Sequence, residues 1–228
     1  MIVGNGMLAR AFAPRYACTD DVVVFASGVS NSNETRQSEF DRERELLRPF
    51  LGRHGKVVYF SSCGVEDAGE KNRPYMKHKQ EMEALVLAAP KGYVIRLPQV
   101  VGLTPNPNTL TNFLSNRIRS GEPFTVWSRA QRNLVDVDDI ASIGSAMIES
   151  WPGPDRRLSI AAKESLSMPE IVAIFERVLG LKANCTGEDK GSPMNIEASE
   201  AARIGANLGI DLGKNYAERV IRKYYGAA

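Results

Sequence analysis

Short apolar runs alternate with longer amphipathic segments along this chain. Four runs of β-branched and aromatic residues predict buried strands, which lie at about 1–3, 22–25, 57–62 and 92–102. Between them, charged and apolar residues recur at helical spacing, as in chains whose strands are joined by crossover helices. The pattern therefore predicts an α/β fold built on parallel strands.

The most informative stretch runs from Val57 to Val86. It begins with a buried strand that ends in a serine pair, so that Ser62 lies where the strand meets its loop. Ligands bind at that edge of open α/β sheets. Tyr75 and Lys79 are four residues apart, and a helix places both side chains on one face. An ammonium group beside a phenol favours the phenolate, which predicts a tyrosine that exchanges protons near working pH while the serine holds the reacting oxygen.

These features together resemble the catalytic segment of the extended short-chain dehydrogenase/reductase superfamily. The pattern is a strand ending in Ser-Ser, then Pro-Tyr-x-x-x-Lys, then Glu83 and an apolar helix, and it is most similar to nucleotide-sugar epimerases, dehydratases and 4-ketoreductases. The resemblance implies a Rossmann-type parallel sheet with helices on both faces and a nicotinamide cofactor, NAD or NADP. It also implies that Ser62, Tyr75 and Lys79 are catalytic. In that case Lys79 lowers the pKa of Tyr75, and both residues contact the cofactor.

A glycine turn follows the first strand and opens the first helix. Gly4, Gly6 and Ala9 have the Gly-x-Gly-x-x-Ala spacing of a dinucleotide fingerprint, in which the backbone approaches a pyrophosphate at the helix N-terminus. The turn is one residue shorter than the Gly-x-x-Gly-x-x-Gly that is usual in the superfamily. This match predicts that Gly4, Gly6, Met7 and Leu8 bind the cofactor, and a plain strand-to-helix turn is the alternative.

The sequence has no room for one wing of the Rossmann sheet, which in the superfamily consists of the second strand, its helix and the third strand. Val22–Phe25 resembles the superfamily's fourth strand, and Ala26, Ser27 and Gly28 resemble its exit loop, which implies that these three residues bind the cofactor. Only residues Arg15–Asp20 separate this strand from the first helix, and they leave no room for a second and a third strand. The alternative is that Val22–Phe25 is itself the second strand. In either case the adenosine of a cofactor lacks its usual partner, so weak binding is expected.

The resemblance extends to residues that face the substrate in relatives. Gln99 stands where an asparagine usually contacts the substrate, and Pro98 beside it matches a cofactor-binding position. Arg132 corresponds to an arginine that faces the substrate's diphosphate, a task that suits a planar guanidinium group. The alternative for Arg132 is an ordinary exposed charge. Cys63, next to the catalytic serine, completes the predicted substrate site.

The chain is expected to form one compact unit with two parts. Residues 1–103 form the shortened Rossmann core, which residues 134–150 rejoin. Residues 104–133 and 155–228 form a small C-terminal α/β lobe that resembles the substrate lobe of the superfamily.

Local patterns give further predictions. Helices are expected at 41–50 and 140–151, and Ser167 opens another helix with a capping box. Residues 187–193 are expected to form a mobile loop. Arg96 lies inside an apolar strand, so it is expected to be paired across the fold rather than catalytic.

Composition narrows the class of protein. The 228 residues are 43% hydrophobic with a formal net charge of +2, as in an ordinary soluble globular protein. No block of Lys or Arg indicates a nucleic-acid partner, and no apolar run approaches the ~20 residues that a membrane helix needs. A strand rather than a signal peptide follows Met1, so a cytoplasmic protein without a membrane partner is expected.

Cysteine and histidine usage argues against a metal site. Cys18, Cys63 and Cys185 are odd in number and lack metal-ligand spacing, which predicts reduced thiols. The two histidines, His54 and His78, lie in basic, polar surroundings along the sequence, which disfavours a histidine metal site and a serine triad. No metal ligand is therefore predicted.

Two classes of function remain open from the sequence. The first is a nicotinamide-dependent oxidoreductase or epimerase for a nucleotide-linked sugar, which works by 4-keto reduction or through a keto intermediate. The second is a cofactor-poor or cofactor-free homologue that serves as a binding or scaffolding partner, or catalyses a redox-neutral step. The surviving triad favours the first class and the missing wing favours the second. The helix of Tyr75 commonly builds a dimer in relatives, so a homodimer is expected.

Overall fold

The computed structural model describes residues 1–52, 55–67 and 69–226. The strands are β1 (Ile2–Val3), β2 (Val22–Phe25), β3 (Lys56–Ser62), β4 (Gly92–Leu97), β5 (Gln99–Val101), β6 (Phe124–Trp127), β7 (Gln131–Arg132), β8 (Leu134–Asp136), β9 (Arg157–Ser159), β10 (Leu166–Ser167) and β11 (Cys185–Glu188). The helices are α1 (Met7–Tyr16), α2 (Gln37–Leu51), α3 (Pro74–Ala88), α4 (Leu110–Ser120), α5 (Val137–Glu149), α6 (Met168–Leu179), α7 (Ser199–Asn207) and α8 (Tyr216–Tyr225), and a short 3-10 helix, Cys63–Glu66, follows β3. His54 lies outside the described residues.

The main sheet is parallel and has the strand order β1-β2-β3-β4-β9. In a doubly wound sheet of order 3-2-1-4-5-6 the first strand is central, with the second strand on one side and the fourth on the other. Here β2 lies beside β1, and three further strands, β3, β4 and β9, continue the sheet on the same side. Only one strand would lie beyond a second strand, so β2 has the place of a fourth strand. Within the described residues nothing pairs with the outer side of β1, so the sheet lacks its second and third strands as predicted.

Alternate residues of the central strands face opposite sides of the sheet. Val24 and Val58 belong to one buried cluster with Phe12 of α1 and with residues of α5. Val57 belongs to a second cluster with Leu47 of α2 and with residues of α3. Burial of each such side chain stabilises the fold by about 1.5–3 kcal/mol. Helices therefore cover both faces of the sheet.

Three smaller strand pairs lie outside the main sheet. Strand β5 pairs with β8, β6 with β11, and β7 with β10. Strand β9 at Arg157–Ser159, within the range 155–228 predicted for the lobe, pairs with β4 of the main sheet. The expected loop at 187–193 begins too early, since β11 continues to Glu188. The side chains of β11 are mostly exposed, so no apolar signal marks this strand.

Two helices begin earlier than their apolar patterns indicate. Helix α2 begins at Gln37 rather than at 41, and α5 begins at Val137 rather than at 140. The side chain of Asp136 accepts a hydrogen bond from the Asp138 amide and thereby caps α5. The capping box that Ser167 opens on α6 is confirmed.

Arg96 is paired across the fold, as predicted. Its Nε and Nη2 atoms donate to the two carboxylate oxygens of Glu83 at 2.8 and 2.7 Å, and Nη1 donates to Glu66. This fork-to-carboxylate geometry satisfies a guanidinium group that is almost fully buried.

Candidate active site

The carboxyl ends of four parallel strands bring most of the predicted site residues to one edge of the sheet. The loops at this edge contain residues 4–6 after β1, 26–28 after β2, 63 after β3 and 98 after β4. Helix α3 begins beyond the third of these loops and carries Tyr75 and Lys79. The structure therefore gathers the predicted residues where open α/β sheets bind ligands.

The turn after β1 requires a glycine at its first position. Gly4 has a φ of +124°, and a Cβ atom there would lie 2.5 Å from the carbonyl oxygen of Ala26. Gly6 caps α1, and a Cβ atom there would meet nothing within 4 Å. The first turn of α1 carries no acidic side chain. This open helix N-terminus, lined at its start by half-buried Met7 and Leu8, suits a phosphate group.

Ser62 ends β3 and caps the short helix that follows. Its side chain is half-buried, and its Oγ atom accepts a hydrogen bond of 3.1 Å from the Gly64 amide. The neighbouring Cys63 is buried. Burial raises the pKa of the Cys63 thiol to about 12, against the smaller lowering effects of Ser159 and Arg96. A neutral thiol of this kind shapes the site without acting as a nucleophile.

Tyr75 and Lys79 lie one turn apart on α3, as their spacing predicts. Pro74 opens the helix. The Lys79 ammonium nitrogen is 5.6 Å from the centroid of the Tyr75 ring. Tyr75 is 9% exposed and Lys79 is 3% exposed, so both side chains lie beneath the surface.

A buried carboxylate on α2 holds the Lys79 ammonium group. Glu43 is fully buried, and its Oε1 atom accepts hydrogen bonds from Lys79 Nζ at 3.0 Å and from the Tyr59 hydroxyl at 2.6 Å. The Tyr59 hydroxyl oxygen in turn accepts a hydrogen bond of 2.8 Å from Lys79. Glu43 Oε2 accepts one of 2.6 Å from the Val29 amide and contacts His78 Nε2 at 3.0 Å.

Glu43 is ionised in this cluster. Burial raises its pKa, but the Lys79 charge and the hydrogen bonds from His78, Tyr59 and Val29 outweigh burial and bring the pKa to about 2. An ionised carboxylate only accepts hydrogen bonds, so His78 must donate to it through Nε2.

His78 lies in surroundings unlike those predicted. It is 2% exposed and stacks on Phe40 of α2, with ring centroids 4.5 Å apart. Its Nδ1 atom has no hydrogen-bond partner among the described residues. The expectation of basic, polar surroundings was wrong because this face of α3 packs against α2.

The structure also corrects the expected direction of the Tyr75 pKa. Burial raises the pKa of Tyr75 above its ordinary value, Lys79 lowers it by less, and Glu43 raises it further. The predicted lowering by Lys79 was therefore wrong as a net effect. The positive charge of Lys79 is largely balanced by its ion pair with Glu43.

Sequence reasoning missed Glu43, Tyr59 and His78, although Glu43 left a signal. Phe40, Glu43 and Leu47 are the buried positions of α2, and they have the i, i+3, i+7 spacing of an apolar stripe. A glutamate in such a stripe is placed for burial and therefore requires a partner. Tyr59 was counted only as part of an apolar strand.

The predicted substrate residues lie beyond β4. Pro98 separates β4 from β5. Gln99 begins β5, and its backbone amide donates a hydrogen bond of 3.0 Å to the backbone carbonyl of Asn133. Arg132 is half-buried on β7, where its Nη1 atom donates to the Gln131 carbonyl at 2.8 Å. No carboxylate pairs with Arg132 in the described part of the chain, which leaves guanidinium donors for another anion.

Two cavities lie in the C-terminal part of the chain, away from Tyr75. The first, of about 230 Å³, lies between α6 and α8 and is lined by Ala162, Glu164, Leu166, Glu170, Ala173, Ile174, Arg177, Gly213, Asn215, Tyr216, Ala217 and Glu218. The second, of about 250 Å³, is lined by Asp136, Asp139, Gly209, Ile210, Asp211, Tyr216, Arg219, Val220 and Lys223. Neither contains a predicted catalytic residue.

The described residues fit part of a dinucleotide. The turn at Gly4 and Gly6 fits a pyrophosphate because the glycines keep the helix N-terminus open. Tyr75 and Lys79 lie on the side of the same edge where the resemblance puts the nicotinamide. The adenosine end has no second strand to lie against, since β1 is the outermost strand of the described sheet.

Two further features concern the described residues as a whole. No helix in 1–52, 55–67 and 69–226 has both the length and the apolar character to cross a membrane. In the same ranges, no three His, Cys, Asp or Glu side chains are grouped as metal ligands would be.

The chain is similar in sequence to one known protein family. The sequence pattern of the NAD dependent epimerase/dehydratase family matches residues 20–156. This range contains Ser62, Tyr75, Lys79 and Arg132. No curated protein sequence matches the chain.

Solved structures share the fold. One is the structure of UDP-glucuronic acid 4-epimerase from Bacillus cereus in complex with UDP-glucuronic acid and NAD, which is 19% identical in sequence. The match covers 90% of this chain and 74% of that protein, with a TM-score of 0.70. For dTDP-glucose 4,6-dehydratase from Bacillus anthracis, in complex with NAD, the identity is 17%, the coverages are 90% and 71%, and the TM-score is 0.65. A UDP-galactose 4-epimerase is 16% identical, with coverages of 94% and 79% and a TM-score of 0.68. At these identities the likeness concerns the fold, and it agrees with the Rossmann-type sheet.

Proposed function

Because this chain belongs to the NAD dependent epimerase/dehydratase family, we propose that it is a nicotinamide-dependent oxidoreductase or epimerase that acts on a nucleotide-linked sugar. The family consists of enzymes, and its cofactor is NAD. The observation that carries the proposal is the arrangement of Tyr75 and Lys79 on the first turns of α3, beyond the strand end that carries Ser62. The reaction is a 4-keto reduction or an epimerisation through a keto intermediate.

Each residue of the triad has a distinct task in this proposal. Tyr75 transfers a proton to or from the reacting sugar oxygen, and the Ser62 hydroxyl holds that oxygen in place. Lys79, whose charge is balanced by Glu43, lies beside the phenol and would contact the nicotinamide ribose. When bound, the cofactor supplies hydride transfer at the sugar carbon.

The remaining predicted residues position the two ligands. The cofactor-binding set comprises Gly4, Gly6, Met7, Leu8, Ala26, Ser27, Gly28 and Pro98. Arg132 grips the substrate diphosphate with free guanidinium donors, while Gln99 and Cys63 line the sugar. The fold neighbours crystallised with UDP-sugars support this choice of substrate class.

The direct test offers the purified protein NAD or NADP together with a panel of UDP- and dTDP-hexoses. Proton NMR of the sugar detects a new epimer or a keto product, and the absorbance of reduced nicotinamide follows net oxidation or reduction. Conversion of one nucleotide sugar supports the proposal. Absence of conversion across the panel, with no cofactor bound, contradicts it.

A second candidate function rests on the outermost position of β1. A sheet without its second strand offers no adenosine pocket, which favours a cofactor-poor homologue that binds a nucleotide sugar or catalyses a redox-neutral step. Calorimetry separates the candidates. Tight nucleotide-sugar binding without cofactor binding favours this second function.

Assembly and location belong to the proposal as well. A homodimer through α3 remains a prediction, which sedimentation analysis of the purified protein tests. A cytoplasmic location also remains a prediction, which fractionation of the source cells tests.

A further inference from the structure

The loop after β2 closes over the ion pair between Glu43 and Lys79. A Cβ atom at Gly28 would lie 2.8 Å from Lys79 Nζ and 3.0 Å from Glu43 Oε1. The backbone of Gly28 thus lies directly against the two charges. Since Glu43 and Lys79 are 0% and 3% exposed, water does not screen one charge from the other.

We infer that Glu43 is a positioning residue that holds and neutralises the Lys79 ammonium group, so that the free protein keeps Tyr75 as a neutral phenol ready to donate a proton. The inference rests on the proposed function, because it assigns a starting state to the residue that transfers the proton.

Tyr75 packs in a hydrophobic cluster. Its cluster is made of Val29, Phe40, Val65 and Met76. The charged groups that act on Tyr75 are Lys79 from its own helix and Glu43 from α2. Lys79 lowers the pKa of Tyr75 and Glu43 raises it, so the effect of Glu43 opposes the stabilisation of a phenolate by Lys79.

Two other titratable side chains contact the pair. Tyr59, from β3, is fully buried, and burial together with Glu43 raises its pKa well above the ordinary value. His78, from α3, donates to the same carboxylate through Nε2. Both side chains therefore bond to the carboxylate that holds Lys79.

A phenolate in this position would be a buried anion without a partner of its own. Such an anion is costly unless a cation is free to pair with it, and Lys79 is already bonded to Glu43. The neutral form of Tyr75 is therefore the stable one. A neutral phenol gives a proton to a carbonyl oxygen, whereas a phenolate takes one from a hydroxyl.

The test measures the ionisation of Tyr75 without requiring turnover. Protein labelled at the tyrosine Cζ carbon with carbon-13 is titrated by NMR, and the Tyr75 resonance is assigned with Tyr75→Phe. In the wild-type protein we expect the phenol to persist beyond its ordinary pKa of 10.0. Appearance of the phenolate near neutral pH would overturn the inference.

The variant Glu43→Gln tests the part played by the carboxylate. It removes the counter-charge of Lys79, so the Tyr75 phenolate becomes the available partner and its titration should move down by roughly one unit or more. The matched control is Glu45→Gln, which removes an exposed carboxylate from the same helix and should leave Tyr75 unchanged. An unchanged Tyr75 titration in folded Glu43→Gln would also overturn the inference.

Two safeguards keep the outcome clear. If Glu43→Gln does not fold, Glu43→Asp replaces it, because a shorter side chain draws the carboxylate back from Lys79 and should shift Tyr75 in the same direction by less. The readout is also independent of activity. Loss of the proposed function appears as absent conversion with the Tyr75 shift intact, whereas failure of this inference appears as an absent shift.

Discussion

Glu43 and Lys79 lie on different helices, 36 residues apart in sequence, and are joined by a hydrogen bond of 3.0 Å between Oε1 and Nζ. Both side chains are buried, so the charge on each is stable only because the other is present. This pair links α2 to the helix that carries Tyr75. It therefore connects the stability of the fold to the chemistry of the site.

The first prediction concerns stability in acid. The pKa of Glu43 is lowered from an ordinary 4.5 to about 2, so its carboxylate stabilises the fold above about pH 4.5 and loses this effect as the pH falls towards 2. Glu43→Gln should therefore destabilise the protein by ~3–5 kcal/mol at neutral pH, because it leaves Lys79 buried without a partner. Urea unfolding over a pH series should show the difference from wild type shrinking between about pH 4.5 and 2.

The matched control for that series is Glu45→Gln, whose carboxylate is exposed. It should change stability by less than about 0.5 kcal/mol at every pH. A difference between Glu43→Gln and wild type that stays constant down to pH 2 would contradict the ionised state of Glu43.

The second prediction concerns the loop over the pair. Gly28→Ala places a Cβ atom 2.8 Å from Lys79 Nζ, which forces apart atoms that are tied by buried hydrogen bonds. We expect a loss of ~1–3 kcal/mol in the free energy of unfolding. Gly52→Ala, whose Cβ would meet nothing within 4 Å, is the control and should be near neutral. If urea unfolding gives the two variants equal free energies of unfolding, the loop accommodates the extra methyl group and the prediction is wrong.

The third prediction tests the proton-transferring role of Tyr75. Tyr75→Phe removes only the hydroxyl, so the fold should persist while turnover of the nucleotide sugar falls ~100-fold or more. Tyr93→Phe is the control, because Tyr93 lies on β4 against Trp151 rather than beside Lys79. Circular dichroism checks the fold and steady-state kinetics the rate. Turnover of Tyr75→Phe within a few-fold of wild type would remove Tyr75 from the mechanism.

The fourth prediction concerns recognition of the diphosphate. Arg132→Ala should weaken binding of a nucleoside-diphosphate sugar much more than binding of the free sugar, because only the former presents phosphate oxygens. The control is Arg129→Ala, since Arg129 is exposed and already paired with Asp189 at 2.8 Å. Calorimetry measures both ligands. Equal weakening of the two ligands by Arg132→Ala would place this arginine outside the diphosphate site.

The fifth prediction follows from the outermost position of β1. A dinucleotide normally sets its adenosine against the second strand, whose end residue bonds the ribose or its phosphate. The described sheet has no such strand, so we expect NAD and NADP to bind weakly and to differ by less than the ~10-fold that 1.4 kcal/mol would provide. Fluorescence titration with both reduced cofactors measures this. Submicromolar binding of one form with strong rejection of the other would contradict our account of the sheet.

Local patterns were enough to predict the central strands of this fold. Strands β2, β3 and β4 were visible because β-branched residues crowd into short apolar runs, and the capping box of Ser167 was visible because its partners are three residues apart. The spacing of Tyr75 and Lys79 likewise determined that they share a helix face. These features depend on neighbours in the sequence.

The tertiary structure decided what depends on distant partners. Val22–Phe25 resembles a fourth strand in sequence, but the continuation of the sheet from it through β3, β4 and β9 is what excludes a second strand. The direction of the Tyr75 pKa is set first by burial beneath packed elements, and Glu43 adds to it once α2 packs against α3. Spacing along one helix reveals which charges are adjacent, whereas the balance of buried charges is set by every element that encloses them.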